Sequence, residues 1–243
     1  MELDSLTFPE FEARVTPRTV VLWPIGIVEE HGPHLPLSTD SLQAEWTCAE
    51  VARRTGALVL PPLRYGNAVT TRPFPGTISL SFDTVRAVAR DVLRECDRNA
   101  LRRVVIVSGH AGGGHMRALK VAAEEVLEEG RNMKIAVLSD WDLVPELRRT
   151  ALANAAPADD GHAGTAETSR VLAIAPDAVR ASRPGPSPAK FPEFRVEIDT
   201  RGRIPSGVIG GDPSRATAEL GRAINEHVAS RLAGIVKDLA AED

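Results

Sequence analysis

The chain has 243 residues, 43% of them hydrophobic and 26% charged, with a formal net charge of −4. That length suffices to bury one continuous core, and with no second-domain signal a single domain over residues 1–243 is expected. The composition is ordinary for a globular protein, and the mildly acidic balance gives no electrostatic reason to expect nucleic acid, so a small or neutral substrate fits better.

The opening stretch MELDSLTFPEFEARV is acidic and lacks a basic segment followed by an apolar one, so it does not read as a signal peptide. No apolar run approaches the ~20 residues needed to cross a bilayer. Cys48 and Cys96 each lie in a stretch that reads as helix and are expected to be reduced packing thiols. Together these features point to a cytoplasmic protein without a membrane partner.

In chain order, TVVLWPIG (19–26), ALVLPPL (57–63), VVIVSG (104–109) and KIAVLSD (134–140) read as buried strands, and GTISL (76–80) as a shorter one. Helices are expected over 41–54 after Asp40, over 83–99 after the capping run Ser-Phe-Asp, and over 114–129 after AGGG. The first half of 145–160 reads as helical, and a further helix is expected from about Thr165 to Ala175, stopped by Pro176. SRPGPSPAKFP must be loop or extended chain, because proline fixes φ and removes donors. Leu220, Ile224, Val228, Leu232 and Ile235 form the apolar stripe of a C-terminal packing helix. Strands alternating with long amphipathic segments predict a three-layer α/β/α sandwich around a mainly parallel sheet.

Histidine placement carries the chemistry. Of six histidines, five fall in three short segments: His31 and His34 in EEHGPHLPLSTD, His110 and His115 in SGHAGGGH, and His162 in GHAGTAETS. The first two segments follow expected strands, so they should sit at the carboxyl ends of a parallel sheet, where such folds place their sites. Glu29 and His31, two apart in extended chain, project to one side. Asp40 either caps the following helix or uses its two oxygens to bridge two cations. His110 reads as a metal ligand, whereas His115, inside the next helix, reads as a structural or supporting residue. Glu167 is either a carboxylate favourably placed at a helix N-terminus or one more oxygen ligand, and His162 either a hydrogen-bonded loop residue or a mobile proton donor. Imidazole and carboxylate without thiolate suit zinc, manganese or iron(II). GxSxG and HExxH motifs are absent, and neither cysteine sits beside a histidine motif, which leaves metal-activated water.

At these residues the chain resembles the creatininase (creatinine amidohydrolase) family. PIGIVEEHGPHLPLSTD matches that family's signature position by position, and RPFPGTISL, VVIVSGHAGG, HAGTAETSRVLAIAP and SGVIGGDPSRATAELG look like its later segments. The resemblance implies that Glu29 and His110 hold one of two divalent ions, zinc before manganese or iron. It also implies that His31 and Glu167 hold the other, that Asp40 bridges them, and that His162 handles the proton. Asp40 and Glu167 thereby join His162 in the catalytic set.

The chain departs from creatininase proper at Gly112, where a glutamate is expected, and at Thr70 and Thr71, where many relatives carry Glu-His. Trp141 is the candidate for an aromatic pocket wall, and Arg72 reads as a solvated arginine or a contact to an anionic substrate. The implied reaction is hydrolysis of a non-peptide C–N bond in a small cyclic amide or formamide rather than in creatinine. The alternatives are ring-opening C–C hydrolysis of an oxidised inositol, or a non-enzymatic metal-binding scaffold. The resemblance further suggests a homo-oligomer, with a hexamer as one form.

Overall fold

The computed structural model describes residues 1–144, 159–186, 191, 196 and 199–242. Among these residues four parallel strands form the sheet, β1 (Val20–Ile25), β2 (Leu58–Val59), β3 (Arg103–Ser108) and β4 (Lys134–Ser139), in the spatial order β2-β1-β3-β4. The helices are α1 (Phe8–Arg14), α2 (Thr39–Thr55), α3 (Phe82–Arg98), α4 (Gly113–Glu128), α5 (Thr165–Ile174) and α6 (Ala218–Ala241).

Every residue of β1 and β3 is buried, and successive side chains serve opposite faces. Val21, Trp23, Ile25, Val104 and Ile106 pack with Val85, Ala89 and Leu93 of α3 and Leu119 and Ala122 of α4. Val20, Leu22, Val105 and Val107 pack instead with Cys48 and Val51 of α2 and Leu232 and Val236 of α6. The molecule is therefore the expected α/β sandwich with helices on both faces, and both cysteines are buried and free. Among the described residues, no helix is long and apolar enough to cross a membrane.

Local chemistry sets the ends of these elements. Ser81 accepts from the Thr84 N–H at 3.1 Å to open α3, Gly56 closes α2 at φ +78°, and Pro176 follows α5. Two expected strands are cut short. Pro61 and Pro62 lack donors, so β2 ends at Val59, although Leu63 N–H still reaches the Pro24 carbonyl at 3.1 Å. Residues 76–80 make only single bridges, Val28 to Ile78 and Gly66 to Ser79. The helix expected in the first half of 145–160 lies outside the described residues, as does part of the proline-rich loop.

Pairing in register from Val20 with Arg103 to Ile25 with Ser108 makes the loops after β1 and β3 leave the sheet side by side. Gly26 and Gly109 then lie against the start of α2. A side chain at Gly109 would overlap the Asp40 carbonyl, and one at Gly26 would overlap Ser41. This close approach carries the first turn of α2 to the sheet's carboxyl edge.

Behind that edge, Arg170 of α5 and Asp140, both fully buried, pair at 2.6 Å. Burial outweighs the guanidinium and pushes the Asp140 carboxyl above its ordinary range, so the pair is electrostatically expensive. Breaking it from one side is worse. Asp140→Ala strands a buried cation and should cost about 3–5 kcal/mol, a fall of roughly 10 °C in Tm on thermal unfolding; an unchanged Tm would count against that account.

Candidate metal centre

Asp40 lies inside the first turn of α2, which begins at Thr39 with Ser38 at the cap position. It is not the N-cap, because the close loop packing turns its carboxylate across to the neighbouring loops. Asp40 Oδ1 stands 3.2 Å from His31 Nε2, and Oδ2 stands 3.5 Å from His110 Nδ1. One carboxylate therefore faces two different imidazoles with its two oxygens. His110 Nδ1 also lies 2.8 Å from Glu29 Oε2, and His31 Nε2 lies 3.7 Å from Glu167 Oε2.

Among the described residues three groups result, Glu29 with Asp40 and His110, His31 with Asp40 and Glu167, and Glu29 with His31 and His162, each with ligand-type atoms all within 4.8 Å of one another. The first two share Asp40. Three of the members are held from behind. The Glu29 carbonyl accepts from His31 Nδ1 at 3.1 Å, which leaves Nε2 as the ring's inward-facing atom. Thr71 donates its hydroxyl to Glu29 Oε1. Gln43 Nε2 donates to Glu167 Oε1 at 3.1 Å, and the Ala163 N–H donates to Oε2 at 2.7 Å. Glu167 thus sits in the first turn of α5 with one oxygen toward His31.

Two oxygens at the heart of this cluster, Glu29 Oε2 and Asp40 Oδ2, are buried and meet no well-aligned donor, only His110 Nδ1 at 2.8 and 3.5 Å. Buried anionic oxygens crowded on one imidazole are costly, and a cation between them and the imidazoles is what this donor set fits. Burial would strip charge from both histidines. Asp40 and Glu167 overcome it at His31, holding the imidazole well above its ordinary value, and Glu29 with Asp40 raises His110 to about 10. Conversely, the imidazoles outweigh burial at Asp40 and hold its carboxyl well below the usual range.

His162 is 15% exposed, and its ring centroid lies 4.3 Å from that of His31. Its Nε2 donates to the Glu30 carbonyl at 2.8 Å, so Nδ1 is the nitrogen free to take or give a proton. Burial and the neighbouring His31 lower its proton affinity, yet the Glu30 contact and the Glu29 and Glu167 carboxylates leave it raised. His34 and His115 stand apart from this chemistry. His34 Nε2 meets Thr168 Oγ1 at 2.8 Å and burial draws it down to about 4, while His115, drawn down to about 3 by burial, accepts from the Asn67 N–H at 3.3 Å.

The cluster borders a cavity of about 330 Å³ lined by Thr70, Thr71, Ala111, Trp141, Val144 and Ile209, together with His162, Glu29, Asp40, His110 and Glu167. No lysine or arginine lines it among the described residues.

The profile described as "Creatininase: Creatinine amidohydrolase" matches residues 4–236. The chain belongs to the creatininase family. It is 32% identical over 247 residues to the creatinine amidohydrolase of Pseudomonas putida, an alignment covering 96% of this chain and 95% of that one. It is 34% identical over 225 residues to a mycofactocin precursor peptide peptidase of Mycobacterium ulcerans, covering 84% and 79%. A crystal structure of creatinine amidohydrolase (creatininase) superposes with a TM-score of 0.90 at 31% identity, covering 100% of this chain and 98% of that one. Solved creatininases described as "Zn-Zn type" and "Creatininase Mn", each 30% identical, superpose with TM-scores of 0.88 and 0.87. The protein is accordingly a hydrolase of this family.

This creatininase-family chain keeps its departures where the sequence locates them. Gly112, Thr70, Thr71 and Trp141 all line the cavity, whereas Arg72 is exposed and is not among the lining residues. Gln43 and the Thr71 hydroxyl contact escape a reading of the sequence. Gln43 lies on α2 and its partner on α5, 124 positions away, so only a contact map shows the pair.

Proposed function

We propose that Glu29 and His110 hold one divalent ion, that His31 and Glu167 hold a second, and that Asp40 lies between them with one oxygen toward each. The observation that carries this reading is the pair of ligand-type groups sharing Asp40, with buried carboxylate oxygens turned toward the imidazoles. When bound, two such ions, zinc foremost with manganese or iron as alternatives, supply Lewis acidity to a carbonyl and acidify water.

The chain's own groups divide the remaining work. Asp40, placed between the two sides, can take up a proton released at the centre. His162 lines the cavity with Nε2 anchored on the Glu30 carbonyl, which leaves Nδ1 as the exchanging nitrogen and suits it to deliver a proton to a departing nitrogen. Trp141, Val144 and Ile209 give the substrate an apolar wall, and the absence of lining cations among the described residues favours an uncharged molecule. The reaction this supports is hydrolysis of a non-peptide C–N bond in a small cyclic amide or formamide, by one domain spanning the chain. The same reading makes the protein a cytoplasmic homo-oligomer, in keeping with its buried free thiols.

The test is metal removal and return. Chelation should abolish activity on a panel of lactams and formamides, and zinc or manganese should restore it with saturation at two equivalents. In the metal-free protein His110, raised to about 10, holds a proton at pH 7, and His31 is shifted in the same direction; a ligand nitrogen must give up its proton for an ion to bind. Affinity should therefore fall as pH falls, by up to about one log unit per pH unit for each released proton, read by calorimetry in buffers of different ionisation heat. Turnover confined to a short peptide or a diketo-inositol would overturn the substrate class, and a failure to bind metal would overturn the centre.

A further inference from the structure

Three residues after Glu167, α5 carries an arginine with no exposure, although an aliphatic pair in place of Arg170 and Asp140 would be no less stable. What the guanidinium does is specific. Its Nη2 donates to Asp140 Oδ2 at 2.6 Å, its Nε donates to Asn225 Oδ1 of α6 at 2.8 Å, and Nη2 also reaches Thr47 Oγ1 of α2 at 3.5 Å. The same planar group lies over the Trp141 ring, 4.9 Å from its centroid. Asp140 and Trp141 are adjacent in the turn Asp140–Leu143 that follows β4. One cation thus grips this turn twice, end-on at a carboxylate and face-on at an indole, while α2 and α6 fix the cation itself.

Trp141 is also a wall of the cavity above the metal centre, which Arg170 does not line. We propose that Arg170 is a positioning residue that sets substrate binding through Trp141, holding the indole in place as a flat wall before a ring-shaped amide arrives. The inference rests on the proposed function for the identity of the substrate. A lysine cannot do the same, since its ammonium is a point charge without a flat face. The guanidinium touches neither the reacting bond nor the ligand atoms, so its loss acts on binding. Ordering the indole afresh with each substrate should raise KM roughly tenfold and leave kcat within about twofold.

The test uses the metal-loaded protein with Asp140→Leu and Arg170→Met together, which removes both charges and avoids stranding either one. KM and kcat are measured on the best amide of the panel. Acrylamide quenching of Trp141 emission is taken as the difference between each protein and its Trp141→Phe counterpart. The expected result is an unchanged metal content, a KM raised about tenfold, an unchanged kcat and a more readily quenched Trp141. Parent-like KM and quenching would overturn the proposal. Should the double variant fail to fold, Arg170→Lys is measured the same way, with a smaller change in the same direction expected and parent-like values again overturning it. If the parent turns over no amide at all, the proposed function fails, and the quenching comparison alone still decides the role of Arg170.

Discussion

Asp40→Asn should lower turnover by about a thousandfold or more and leave the purified protein with at most one equivalent of metal. The asparagine has nearly the same shape, so the α2 turn and the close packing of Gly26 and Gly109 against it are kept. What changes is donor chemistry. Asp40 offers one anionic oxygen toward His31 and another toward His110. An amide offers a single weak acceptor and turns an NH2 group toward one of the two imidazoles. The three central carboxylates, Glu29, Asp40 and Glu167, also set the charge that two divalent ions must balance, and the variant removes one of them. His31 and His110 lose a large part of what raises them, so both become less basic in the metal-free protein. Metal analysis beside steady-state kinetics decides the matter: an Asn variant with two ions and parental kcat would remove Asp40 from the centre.

His162→Gln separates proton transfer from ligation. Glutamine can still donate to the Glu30 carbonyl, yet it cannot carry a proton at the position of Nδ1. A loss of about 10²–10⁴ in kcat is expected, with both equivalents of metal and a nearly parental KM. Because the charged form of His162 is favoured above its ordinary value, the limb on which parental kcat declines should lie above the usual histidine range, and the variant should lack it. His162 also forms a possible ligand group with Glu29 and His31. Metal content is therefore the discriminating measurement, since a variant that loses an ion along with its activity would make His162 a ligand and not a proton carrier.

Much of this was legible in the residues. The alternation of apolar runs with amphipathic segments leads to a layered α/β fold, since a strand buried on both faces must be apolar throughout and a helix covering it needs only a stripe. The placement of five histidines in three short segments, two of them directly after strands, points to the strand ends. The places where the reading differs from the structure are local. Pro61 and Pro62 cut β2 short by removing donors, 76–80 bridges at single residues, and Asp40 sits one position inside α2 and not at its cap. Asp40 and Glu167 each carried two readings, because a carboxylate in the first turn of a helix is favourable whether or not it has a ligand to hold.

By itself, then, the sequence determined which side chains are available and which ends of the sheet they occupy, because periodicity and turn residues act over a few positions. Only the tertiary structure decided that Asp40 divides its oxygens between His31 and His110, that Gln43 and Thr71 hold two of the central carboxylates, and that Arg170 reaches Asp140 and Trp141. Those contacts join residues far apart in the chain. Their geometry follows from the register of β1 with β3 and from how closely two glycines let α2 approach, neither of which leaves a local pattern to read.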